Sequence, residues 1–304
     1  MLRSYQLVTT HLIYTRLHYQ FHLMKQQHNQ KKIFFVLACL GAMILATLSS
    51  TIPQGSANAQ QNNTLVQPQG VQGMSTTNAN ATNIVLVHGA WADGSSWSKE
   101  IPILKNAGHN VIAVQLPEHS LADDAETVRR AVERIGGPVI LVGHSYGGAV
   151  ITNAGNNNPN VTGLVYVAAF APDQGQSLSD LIDITKLPPG FLQFDKGGFA
   201  YINPAMFRDG FAQDVTPAET DIMAVVQKPI NQSILAEKTG PPAWKELPTW
   251  YQISESDRVI PPDLQRTFAE RMNATTLSLN ASHASLVSHP EEIAEFILNA
   301  TKGK

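Results

Sequence analysis

Ser145 stands in the run Gly143-His144-Ser145-Tyr146-Gly147-Gly148, and a serine hydroxyl is a poor nucleophile at neutral pH until a base takes its proton. Two further reactive side chains stand near the ends of expected strands later in the chain, Asp257 and His283. An imidazole can act as the base, and a carboxylate can orient it and stabilise its charge. Attack on a carbonyl carbon creates an oxyanion, which preorganised backbone N–H groups hold best. The N–H of Tyr146, at a helix start, is one candidate donor, and that of Ala90, just past the first strand, is the other. This combination spells nucleophilic acyl transfer. Trp91 and Phe170 are the candidates to line a substrate pocket, with core or cap packing as the alternative for both.

Other residues compete for these roles. Glu255 stands two residues before Asp257 and can serve as the acid, and Asp173 follows the strand after the serine helix, although Ala171-Pro172-Asp173 reads more simply as a turn. His289 precedes Pro290 and reads as a helix-entry residue. His88 and His144 read as packing and hydrogen-bonding residues around their loops.

Elements of the right kind surround these side chains. Val139–Val142 is a short apolar, mostly β-branched run that reads as a buried strand, and Ala149-Val150-Ile151 opens a helical segment. A strand that turns into a helix across one residue forces that residue into strained backbone, and glycines two before and two after it relieve the collisions. Upstream, residues 83–87 and 111–116 read as strands, residues 96–107 and 121–135 as amphipathic helices. Residues 161–169 form another apolar run. Strand and helix alternating at this spacing predict an α/β domain with a mostly parallel sheet covered on both faces, whose ligands bind beyond the carboxyl ends of the strands. Residues 172–244 break the rhythm, rich in Pro, Gly and Phe with no convincing strand, and read as a cap insertion over those ends. Strands resume at 249–253 and 276–279, and residues 290–299 close the chain as a helix.

The N-terminal part is of another kind. Ile33–Leu48 is uncharged and apolar, preceded by Lys25, Lys31 and Lys32 and followed by Ala57-Asn58-Ala59, the layout of a secretory signal. The run has about 16 residues, short of the ~20 that span a bilayer, so cleavage after Ala59 is expected rather than stable membrane insertion. Met24 is an alternative start. The expected organisation is therefore a signal over 1–59, a Gln/Asn/Thr-rich linker over 60–82 and a domain over 83–304, with secretion or attachment to the cell envelope. A net charge of −3 over 304 residues gives no basic surface for nucleic acid. The single cysteine, Cys39, makes no intrachain disulfide, and no Cys/His cluster has zinc-ligand spacing; no metal and no cofactor is expected. No feature sets an oligomeric state.

The order Ser, Asp, His is that of the α/β-hydrolase fold rather than of the chymotrypsin or subtilisin types. The runs His88-Gly89-Ala90-Trp91, Gly143 to Gly148, Asp257-Arg258-Val259-Ile260-Pro261-Pro262, and Ser282-His283-Ala284 through His289-Pro290 resemble the α/β-hydrolase superfamily. Within it they are most similar to small esterases related to plant methylesterases and hydroxynitrile lyases, from about Asn83 to the C-terminus. In those lyases a threonine stands where this chain has Gly89, and a lysine follows the histidine where it has Ala284. Both departures favour ester hydrolysis over cyanohydrin cleavage. The resemblance implies a serine hydrolase of small to medium carboxylic esters. The alternatives are another enzyme on the same framework (lyase, perhydrolase or carbon–carbon hydrolase) and a low-turnover receptor that retains the three residues.

Overall fold

The computed structural model describes residues 82–303. The expected signal and all but the last residue of the expected linker lie outside the described residues. Nine strands are described: β1 (Asn83–Val87), β2 (Asn110–Ala113), β3 (Val139–His144), β4 (Val161–Val167), β5 (Leu192–Phe194), β6 (Phe199–Ile202), β7 (Ile230–Asn231), β8 (Thr249–Ser254) and β9 (Thr275–Leu279). Six of them form one sheet in the order β2-β1-β3-β4-β8-β9, with every neighbouring pair parallel.

The continuous apolar runs follow from burial on both faces. Val85, Val87 and Leu141 point into one apolar cluster with Val128 and Ala149. Ile84, Leu86, Ile140 and Val142 alternate with them and point into the other, with Leu104, Ile293 and Ile297. Each such side chain, fully removed from water, stabilises the fold by about 1.5–3 kcal/mol. The first face is covered by the helices Leu121–Ile135 and Tyr146–Ala154, the second by the helix Glu100–Asn106 and the closing helix. Helix α1 is Glu100–Asn106, and α2 is Leu121–Ile135. Ser120 caps α2 by accepting from the Asp123 N–H, and Gly136 ends it at φ 65°, the left-handed turn that glycine takes without strain. Helix α3 is Tyr146–Ala154.

The structure adjusts several expected boundaries. The helix expected over 96–107 is a 3₁₀ turn, Gly94–Trp97, followed by α1. The strand expected over 111–116 ends at Ala113, because Leu116 donates its N–H to His88 Nε2 instead of to a strand. The largest correction is between β4 and β8. No strand is expected there, yet β5, β6 and β7 pair antiparallel as a second sheet. They are two to four residues long, too short for an alternating pattern to show. Around them lie α4 (Leu178–Leu181), α5 (Pro204–Phe211) and α6 (Pro217–Val226). This segment is tied to the carboxyl-end loops: Ala200 accepts from Trp91 Nε1, and Asn231 donates to the Glu118 carbonyl. After β8 come α7 (Pro262–Arg271), α8 (Ser285–Ser288) and α9 (Pro290–Ala300). Among the described residues no helix is long and apolar enough to cross a membrane.

Candidate active site

Ser145 links β3 directly to α3. Its backbone sits at φ 52°, ψ −121°, a region costing a non-glycine residue about 1–3 kcal/mol and found where function over-determines the geometry. The flanking glycines are steric requirements: a Cβ on Gly143 would lie 2.5 Å from the Gly147 carbonyl oxygen, and one on Gly147 would lie 2.6 Å from the His88 oxygen. The elbow is held by the Ser145 N–H donating to the Val167 carbonyl (3.2 Å) and by the Phe170 N–H donating to the Ser145 carbonyl (3.0 Å).

The structure brings Ser145, Asp257 and His283 together although they follow β3, β8 and β9 respectively. His283 Nε2 is 2.8 Å from Ser145 Oγ, and its Nδ1 is 2.7 Å from Asp257 Oδ2. The imidazole and the carboxylate are both fully enclosed. With Nδ1–H donating to the carboxylate, Nε2 presents its lone pair to the serine proton, the geometry of general-base activation. Asp257 is itself fixed: Oδ1 accepts the N–H groups of Val259 (2.7 Å) and Ile260 (2.9 Å), and Oδ2 also accepts from Gln265 Nε2 (2.8 Å). Ala90 follows β1 and Tyr146 follows β3, adjacent strands of the sheet, so their backbones flank the serine. Tyr146 is the first residue of α3, where helix N–H groups have no intrahelical partner.

The competing residues are occupied elsewhere. Glu255 pairs with Arg266 at 2.7 Å, and Asp173 with Lys245 at 2.6 Å. His289 Nδ1 lies 2.9 Å from Ser288 Oγ. His88 is buried and neutral: Nδ1 faces the Gly89 carbonyl at 2.9 Å, and burial pulls its pKa down to about 4. His144 is enclosed too, and burial together with the neighbouring His283 lowers it to about 3. Its Nε2–H donates to the His283 carbonyl at 2.8 Å, so it braces the base rather than titrating.

Trp91 and Phe170 part company. Phe170 is buried in the larger apolar cluster and meets the serine through its backbone. Trp91, at φ 61°, lines a cavity of about 230 Å³ with Phe207, Phe211, Ile222, Met223 and Val226. Phe211 stands edge-on to the His283 ring, 4.8 Å between centroids, so a residue lining this apolar cavity also packs on the base. Among the described residues no group of three or more His, Cys, Asp or Glu side chains is arranged to hold a metal ion.

Sequence reasoning missed Gln265 and the contacts of the cap with the acid and base loops, whereas the reading of His144 as a hydrogen-bonding residue holds. Only Gln265 left a trace, an uncharged polar residue on the buried side of α7 beside Phe268 and Ala269.

Residues 84–296 match the model of the alpha/beta hydrolase family. The chain is 30% identical over 246 residues to a pyrethroid hydrolase of Sphingobium wenxiniae, covering 71% of this chain and 86% of that protein. It is 23% identical over 254 residues to polyneuridine aldehyde esterase of Rauvolfia serpentina, covering 71% and 94%. The crystal structure of a pyrethroid hydrolase from Sphingobium faniae superposes with a TM-score of 0.63 at 24% identity, over 73% of this chain and 98% of that one, a likeness of fold. The chain belongs to the alpha/beta hydrolase family and resembles, within it, the small esterases.

Proposed function

We propose that this protein is a serine hydrolase that cleaves small to medium carboxylic esters through an acyl-enzyme. The observation that carries the proposal is the unbroken relay from Asp257 through His283 to Ser145, 2.7 and 2.8 Å. Ser145 Oγ attacks the ester carbonyl carbon as its proton passes to His283 Nε2. Asp257 holds the imidazole in the required tautomer and stabilises its charge. The carbonyl oxygen gathers negative charge between the N–H groups of Ala90 and Tyr146. Collapse of the intermediate expels the alcohol, which takes the proton from His283 and leaves an acyl-serine. Water, deprotonated by the same imidazole, then releases the acid and regenerates the serine. Trp91 supplies apolar surface toward the substrate, and the esterases and hydrolases among the relatives support this reaction class.

Ser145→Ala is expected to abolish both hydrolysis of p-nitrophenyl esters and covalent labelling by a fluorophosphonate; unchanged turnover in that variant removes the assignment. Export of the domain is part of the same proposal, supported by the basic, apolar and small-residue order of residues 25–59. An N-terminus other than Gln60 on the protein recovered outside the cell would overturn cleavage after Ala59.

A further inference from the structure

His283 stands four residues beyond the end of β9, so the sheet alone does not place it. Its peptide neighbours are held from two sides. From the elbow, His144 donates to the His283 carbonyl. From the cap, Asp214 accepts the N–H of Ser282, the residue immediately before the base, on Oδ2 at 2.9 Å, and the same oxygen accepts Ser288 Oγ at 2.9 Å. Burial raises the Asp214 carboxyl, and the bonds from Ser282 and Ser288 more than offset that, so its pKa ends below the ordinary value. His289 Nδ1 lies 3.9 Å away.

Neighbouring cap residues reinforce this grip. Gln213 Nε2 donates to the Ser256 carbonyl (2.6 Å), and Arg258 donates to the Asp209 carbonyl (2.7 Å). The chain is thus seized on each side of Asp257, while Phe211 packs on the His283 ring. Lys99 extends the tie, pairing with Glu219 at 2.7 Å and donating to the Val287 carbonyl at 2.8 Å. One stretch of cap therefore touches both loops that carry the proton relay.

We infer that Asp214 is a positioning residue: from the cap, its carboxylate fixes the Ser282 peptide and so holds the His283 imidazole in line with Ser145 Oγ. This rests on the serine-hydrolase reading above. The cap then does more than bound the substrate, because chemistry needs it docked. A displacement of the imidazole by about 1 Å can cost about a hundredfold in rate without altering binding, so the effect falls on kcat rather than KM.

The test compares kcat and KM for p-nitrophenyl butyrate, with thermal midpoints, in the full chain and in five variants. Asp214→Ala is expected to lose about tenfold or more in kcat with KM within about twofold of wild type. Asp214→Asn keeps an oxygen acceptor in place and is expected to restore most of kcat, while Asp214→Glu, which keeps the charge but displaces the acceptor, is expected to stay impaired. Lys238→Ala, which breaks the exposed cap pair with Asp180, is expected to match wild type. A wild-type kcat in Asp214→Ala overturns the inference, as does a fall in Asp214→Asn as deep as in Asp214→Ala. Should Asp214→Ala fail to fold, equal kcat in Asp214→Asn and Asp214→Glu overturns it. Turnover surviving in Ser145→Ala instead overturns the serine-hydrolase reading beneath it.

Discussion

Gly89 and Ser145 meet so closely that a Cβ on the glycine would lie 2.7 Å from the serine Cβ and 2.9 Å from His144 Nδ1. Neither obstacle can rotate away, since both belong to the rigid elbow. Any larger side chain at this position would need a displaced loop. Gly89→Ala is therefore expected to lower kcat/KM for p-nitrophenyl acetate by about tenfold or more by moving the oxyanion loop. It should also cost about 1–3 kcal/mol of stability from overpacking. Wild-type turnover together with a wild-type urea midpoint would contradict this.

The choice of acid can be tested by contrast. Asp257→Asn turns its amide N–H₂ either toward the backbone N–H groups of Val259 and Ile260 or toward Gln265 Nε2 and His283 Nδ1. Either way the imidazole loses the carboxylate charge that stabilises it, and in the second orientation its acceptor as well, and kcat is expected to fall by up to about ten-thousandfold. Glu255→Gln weakens contacts with Arg266 and Ser278, neither of which touches the base, and should leave kcat unchanged. Steady-state rates on one ester decide the matter, and the reverse ranking would reassign the acid.

Tyr146 separates backbone from side-chain roles. Its hydroxyl donates to Asp124 Oδ2 at 2.6 Å in a buried site, while the oxyanion is to be met by its N–H. Tyr146→Phe should destabilise the fold by about 1–3 kcal/mol, the cost of a buried acceptor stripped of its donor. Its kcat should stay within about threefold of wild type, because the backbone donor survives. Calorimetry and turnover on the same sample check both halves; a collapse of kcat without loss of stability would give the hydroxyl a chemical role.

Glu100 shapes the alkaline side of stability. Burial raises its carboxyl from 4.5 to about 8, so the folded chain keeps a proton that the unfolded chain releases. Its contribution is whole below pH 4.5 and drains away as pH rises toward 8, by at most about 1.4 kcal/mol per pH unit. Buried Glu118 is shifted in the same direction by the same cause. His88 and His144 act in the opposite sense, withholding a proton that the unfolded chain binds below 6.5, so stability from them is lost as pH falls through 6.5. Above pH 6.5 these two histidines no longer tilt the curve, and the raised carboxyls of Glu100 and Glu118 do. Glu100→Gln should flatten the decline in urea midpoint between pH 6.5 and 8, and an unchanged slope would refute the shift.

Much of the molecule was readable along the chain because its causes are local. Strands buried on both faces must be apolar throughout, so β1, β3 and β4 announce themselves. The elbow is legible for the same reason, since its glycines answer clashes with residues a few positions away or on the next strand. Ser145 and His283 could be singled out from their place after such strands. Asp257 stood ahead of Glu255 and Asp173 only by its place after a strand, because all three are carboxylates at plausible turns. The coordinates part them by their hydrogen bonds: two carboxylates face surface cations, and one meets the imidazole inside the protein.

Composition and periodicity alone determined an α/β sheet, a serine poised on a strained turn and an N-terminal segment of different character. Only tertiary structure decided which carboxylate meets the base, how β5 to β7 pair, and that Asp214 reaches Ser282 across 68 positions of chain. Pattern reports what a residue needs from water and from its immediate neighbours. A partner brought from the far side of the fold leaves no period behind it, and the cap contacts that hold His283 are all of that kind.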